Sequence, residues 1–196
     1  ATILVLVLVG CDLEPDVPLP SMATVCGYVS FTTGGPVLQG ATVMGEGFSL
    51  LTDEEGYFEV KVQAEKEFDL FVEKEGHSKA RVQNICLAED EVLELEIPIR
   101  EVFHPDWSTT PPRLNIKGVQ RGDVVKGDLE IQISVEGDRD AFLIYVYFCG
   151  LTRTPVEMVE VSSNDGAGSI DTTLFPNGDG FVRVIAYDEN ENLVIA

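Results

Sequence analysis

The sequence predicts an all-β protein built as two tandem β-sandwich domains, and three observations carry that expectation. Short strand-like runs recur along most of the chain, separated by Gly-, Asp- and Asn-rich turn signals. Several of them alternate apolar and polar residues, as in Phe58-Glu59-Val60-Lys61-Val62 and Val92-Leu93-Glu94-Leu95-Glu96-Ile97, the period of two that a half-buried strand requires. No stretch of useful length shows the 3.6-residue apolar repeat of an amphipathic helix.

The first globular segment spans residues 23–101. Its strand-like runs are Thr24–Phe31, Val37–Met44, Phe48–Thr52, Tyr57–Val62, Glu67–Val72, Ala80–Leu87 and Val92–Ile99. Gly34-Gly35, Gly45–Gly47, Asp53–Gly56 and Glu73–Gly76 punctuate them. Seven short strands at this spacing indicate a sandwich. Within Thr52-Asp53-Glu54-Glu55-Gly56-Tyr57-Phe58, Asp53 can bond its own turn backbone and Gly56 can take a positive φ. Phe58 then falls on the inward phase.

The order Val25-Cys26-Gly27-Tyr28-Val29, then Gly40-Ala41-Thr42-Val43, then the Thr52–Val60 turn and strand, resembles the carboxypeptidase regulatory-like (prealbumin-like) domain. Phe68-Asp69-Leu70-Phe71-Val72 and Gly76 match its later parts. The resemblance covers about three quarters of a hundred residues and implies a non-catalytic accessory used for folding, spacing or binding.

Residues 102–112 contain three prolines and read as an extended linker. They hold Trp107, the single tryptophan, close to His104. A tryptophan there either packs at a domain interface or stacks on a partner ring. The second segment, 113–196, repeats the pattern with runs at Leu114–Val119, Leu129–Val135, Ala141–Cys149, Val156–Val161, Ser169–Leu174, Phe181–Tyr187 and Leu193–Ile195. Gly122-Asp123 through Ile131, and Ile170-Asp171-Thr172-Thr173-Leu174-Phe175-Pro176-Asn177-Gly178 followed by Val182–Asp188, resemble bacterial Ig-like modules. The final run is short, as a strand stub or the cut end of a longer parent would be.

Ahead of both domains, residues 1–22 divide in two. Ile3, Leu4, Val5, Leu6, Val7, Leu8 and Val9 are apolar without a break, and the run is too short to span a bilayer, which takes about 20 residues. It fits the apolar core of an export signal. Leu8-Val9-Gly10-Cys11 resembles a bacterial lipobox, which implies cleavage before Cys11 and lipidation of its thiol. Residues 12–22, with three prolines and three acids, then form a tether. Two other readings stay open. Ile3–Val9 can be a donor arm that adds as a strand to a neighbouring subunit, or an internal strand buried on both faces. No basic residue precedes the run, which counts against a complete signal.

Charge excludes several function classes. The chain carries 34 acidic and 13 basic residues, a net charge of -21. Nucleic acid and anionic lipid surfaces are poor electrostatic partners for it, whereas a cation or a partner with a basic face is compatible. Four cysteines, Cys11, Cys26, Cys86 and Cys149, and two histidines, His77 and His104, show no zinc-ligand spacing. In an exported chain Cys26 and Cys86 are candidates for a disulfide closing a long loop, and Cys149 reads as a buried thiol. Asp188, Glu189, Asn190 and Glu191 concentrate oxygen ligands in one loop. Calcium is the possible cofactor there, without EF-hand spacing; no other cofactor is expected.

Neither a nucleophile elbow nor a phosphate-binding glycine loop occurs, so an enzyme is not expected. The expected role is a non-enzymatic lipoprotein at the cell envelope, exported and presenting a spacer or binding module, with protein partners or self-association. Two alternatives are an extracellular filament or surface-layer subunit polymerising through residues 1–10, and an accessory region of a larger secreted enzyme or adhesin.

Overall fold

The computed structural model describes residues 20–102, 110–120, 122–136, 141–150, 155–161, 165–174, 180–188 and 191–196. They form an all-β protein. The first seven strands are β1 (Met22–Ser30), β2 (Thr42–Gly45), β3 (Phe48–Leu51), β4 (Tyr57–Gln63), β5 (Phe68–Glu73), β6 (Ala80–Ile85) and β7 (Val92–Pro98). The next seven are β8 (Arg113–Lys117), β9 (Asp128–Glu136), β10 (Ala141–Gly150), β11 (Pro155–Val161), β12 (Asp165–Asp171), β13 (Gly180–Asp188) and β14 (Leu193–Ile195). A 3-10 turn, Thr172–Leu174, follows β12.

Inward phase follows the alternation in the sequence. In the first lobe, β4, β1 and β7 form a three-stranded sheet. It contributes Ala23, Val25, Val29, Phe58, Val62, Leu95 and Ile97 to a core shared with Val43, Leu70, Val72, Ala80, Val82 and Ile85 from β2, β5 and β6. Across this sandwich the sheets meet through side chains that lose nearly all contact with water, the main favourable term in folding. The second lobe packs Leu114, Leu129, Ile131, Ile133 and Ile170, from the sheet β12-β9-β8, against Ile144, Val146, Val184 and Ala186.

The turn before β4 forms as its residues dictate. Asp53 Oδ1 accepts from the backbone N–H groups of Glu55 at 3.0 Å and Tyr57 at 2.8 Å. Gly56 has φ 69°, and a Cβ there would crowd the Val29 carbonyl oxygen, so glycine is required twice over. Thr52, on the other side of the turn, is buried and bridges two backbone groups. Its Oγ1 donates to Leu38 O at 2.6 Å and accepts from Ala41 N–H at 2.9 Å. The expected strand Val37–Met44 is shortened to Thr42–Gly45. Val37 keeps only an isolated bridge to Ser30, and Gly40, at φ 70°, turns the chain before β2 can start.

The two sandwiches are not beads on a linker. One sheet of eight strands, in the order β11-β10-β13-β14-β6-β5-β2-β3, runs through both. Its joint is β14, which pairs antiparallel with β13 and parallel with β6, Leu193 opposite Ala80 and Ile195 opposite Val82. Because side chains alternate along a strand, Leu193 and Ile195 enter the first core while Val194 enters the second. The short terminal run of the sequence is thus the strand that both lobes share.

Polar groups fasten the joint. Gln83, 3% exposed, behaves like an extra backbone unit. Its Nε2 donates to Leu114 O and its Oε1 accepts from Leu114 N–H at 2.9 Å. Asn192 Oδ1 accepts from Lys79 N–H at 2.9 Å, and Lys79 O accepts from Leu193 N–H at 2.8 Å. The end of the segment expected to be a plain linker lies against β6, where Arg81 Nη1 donates to Pro111 O at 3.5 Å. His104 and Trp107 lie outside the described residues.

Candidate binding face

The sheet β4-β1-β7 has one side in the first core and the other turned outward. Pairing registers arrange the outward side chains as a grid of three rows. Thr24 stands between Lys61 and Val92, Cys26 between Glu59 and Glu94, and Tyr28 between Tyr57 and Glu96. Neighbouring strands lie about 4.8 Å apart and same-face residues along a strand about 6.7 Å apart, so the nine side chains share one small surface.

The grid has internal order. The Tyr28 and Tyr57 rings pack at 5.2 Å between centroids with planes tilted by 55°. Tyr57 OH donates to Glu59 Oε2 at 2.8 Å. That bond, with lesser contributions from partial burial and the Cys26 thiol, holds the phenol well above its ordinary pKa of 10.0. Lys61 Nζ donates to Thr24 Oγ1 at 2.7 Å. The Gly34 N–H donates to Glu96 Oε1, fixing the neighbouring loop beside the tyrosine row. Tyr28 stays 42% exposed at the centre of its row, and Val92 is also exposed. The close approach of β1 to β7 needs Gly27, because a Cβ there would overlap the Leu95 carbonyl oxygen.

This surface can hold a ligand by ring contact and carboxylate hydrogen bonds. Its Cys26 is flanked by the carboxylates of Glu59 and Glu94, and no histidine stands in the grid. His77, the histidine within the described residues, sits edge-on to Phe31, and its Nδ1 lies 3.1 Å from Glu75 O.

Of the residues singled out by the sequence, Cys26 joins this grid and the other described ones fall elsewhere. Cys26 and Cys86 are not bridged. Cys26 lies in the outward grid, while Cys86 follows β6 in the opposite sheet. Opposed sheets pack about 10 Å apart, and Cys26 points away from the core, whereas a disulfide needs Cα atoms about 4.4–6.8 Å apart. Cys149 lies in β10. Cys11 and the arm Ile3–Val9 lie outside the described residues, as do Glu189 and Asn190. Of the proposed calcium ligands, Asp188 is buried and turned to structure. Its Oδ1 and Oδ2 accept from Asn192 N–H and Nδ2, each at 2.9 Å. Glu191 takes φ 60° and pairs with Arg100 at 3.8 Å. No group of three or more metal-ligating side chains occurs among the described residues.

The tyrosine row is the feature that sequence reading passed over. Its signal was present in the outward phase of Cys26-x-Tyr28 and Tyr57-x-Glu59-x-Lys61. What placed these residues side by side is the register of β1 with β4 and β7.

No protein-family model matches this sequence, and no curated protein matches it. Among solved structures, one likeness is to a protein from Bacteroides uniformis described as carbohydrate-binding, at 10% identity and TM-score 0.32, covering 89% of this chain and 98% of that one. Another is to a protein of unknown function from Bacteroides fragilis described as membrane-associated, at 10% identity and TM-score 0.36, covering 87% and 90%. A third is to the FN1–FN3 domains of chicken CNTN1, at 11% identity and TM-score 0.29, covering 90% and 61%. Likenesses this distant carry no functional weight.

Proposed function

We propose that the chain is a non-enzymatic lipoprotein of the cell envelope, exported and anchored through Cys11, that holds a binding and spacer module at the cell surface. The anchor rests on the lipobox-like run ending at Cys11, and the observation that carries the spacer half of the reading is the shared strand β14. It makes one eight-stranded sheet of two sandwiches, and side chains of that one strand are buried in both cores. An element built this way transmits position without flexing at a hinge, as a spacer must. The outward grid on β1, β4 and β7 gives the first lobe a face with which to bind. The Pro-rich acidic run 12–22 supplies reach between lipid and lobe, up to about 3 Å per residue.

The test is the intact mass of native protein taken from membranes. A mature chain that begins at Cys11 and carries diacylglycerol is the expected result. A chain that retains Ile3–Val9 with an unmodified Cys11 would remove the anchor and return the arm to assembly.

A further inference from the structure

We propose that the outer face of the β4-β1-β7 sheet seats a basic segment of a partner protein, with a lysine or arginine side chain over the Tyr28 ring. This deepens the binding half of the reading above and does not depend on the lipid anchor. The grid holds the carboxylates of Glu59, Glu94 and Glu96 and the single cation Lys61. Lys61 stands two rows from Tyr28 and its Nζ is bonded to Thr24. Every charge next to Tyr28 within the grid is therefore negative. A cation placed against an aromatic face is drawn by the ring quadrupole, and the flanking carboxylates supply charge-assisted acceptors for its N–H groups.

Other occupants use this surface less well. An anion meets three carboxylates here and a chain of net charge -21 beyond them. A second copy would set Glu59, Glu94 and Glu96 against charges of the same sign, and like-charge juxtaposition opposes self-pairing. A neutral glycan can stack on a ring and donate hydroxyls to the carboxylates, yet it gains no net charge attraction and no cation–π contact. A basic segment uses both the ring and the acids. The site is also set in advance, since Tyr57 is tied to Glu59 and packs on Tyr28, so little side-chain ordering opposes binding.

The experiment titrates the isotope-labelled full chain with a blocked hexalysine peptide and follows backbone amide resonances at low and physiological salt. The expected shifts centre on β1, β4 and β7. Tyr28→Ala, which leaves net charge unchanged, should weaken binding about two- to fivefold, and Tyr28→Phe should retain it. Glu94→Gln should weaken binding most at low salt, while Glu136→Gln on the other lobe should change it less than about twofold. Tyr28→Phe keeps the ring contact with Tyr57, so it also guards against a folding defect in the alanine variant. Shifts spread evenly over the acidic surface, with no dependence on Tyr28, would overturn the proposal. So would face-centred shifts produced by a neutral hexasaccharide but not by hexalysine, or by raising protein concentration with no peptide present. None of these outcomes bears on acylation at Cys11, so the two readings fail separately.

Discussion

Leu193→Ala tests the shared strand directly. Leu193 is 1% exposed and belongs to the first core although it lies near the end of the second segment. It sits opposite Ala80 of β6, in the same cluster as Leu70, Val82 and Ile97. Truncating a fully buried leucine removes its transfer energy and leaves a cavity, at a cost of about 2–5 kcal/mol. A central value of about 3 kcal/mol raises the population of opened molecules roughly 150-fold. Hydrogen exchange read by mass spectrometry reports that change segment by segment. The amides of β1, β5 and β6, which are remote in sequence, should exchange faster by roughly that factor where exchange requires opening of the lobe. Val194→Ala provides the complementary measurement, because Val194 enters the second core and should expose β9 and β10, by a smaller factor since fewer buried carbons are removed. Unchanged protection of β1, β5 and β6 in Leu193→Ala, with loss confined to β13, would refute the shared-core argument.

Two further outcomes follow from the polar contacts. Gln83→Ala removes both partners of the Leu114 backbone and leaves a buried N–H and C=O unmet, so a loss of about 2–4 kcal/mol in urea unfolding is expected. An effect below about 0.5 kcal/mol would mean that the amide does not join the lobes. Asp171 accepts from the Thr173 hydroxyl at 2.6 Å and its backbone N–H at 2.9 Å, and the hydroxyl first, then the N–H, lowers its pKa below 3.8. A carboxyl depressed on folding gives stability that is full above its unfolded pKa and is lost as pH falls through the folded one. In a carboxyl-detected titration, Thr173→Val should move Asp171 back toward 3.8, and an unmoved titration would contradict the hydroxyl's role.

Much of the fold was legible because strands declare themselves locally. The alternation in Phe58–Val62 and Val92–Ile97 gave both the elements and their inward phase, and Phe58, Val62, Leu95 and Ile97 are buried accordingly. The Asp53–Gly56 turn was legible for the same reason, since its bonds close within a few residues. The strand expected from Val37 began later because Gly40 adopts a left-handed conformation, which residue type permits without requiring. The acids at 188–191 resembled a loop of cation ligands, yet Asp188 is buried against Asn192. A list of oxygen-bearing residues does not say which of them face water.

The residues alone were enough for the all-β class, for strand-like runs along both segments, for the side of many of them that turns inward, and for an acidity that makes anionic partners electrostatically unfavourable. It took the folded chain to set Leu193–Ile195 between β13 and β6, to make Gln83 act as backbone for Leu114, and to stand Tyr28 between Tyr57 and Glu96. The division has a physical cause. Alternation and turn chemistry act over two to five residues, whereas strand pairing joins residues far apart, and its register is chosen by the fit of both cores at once.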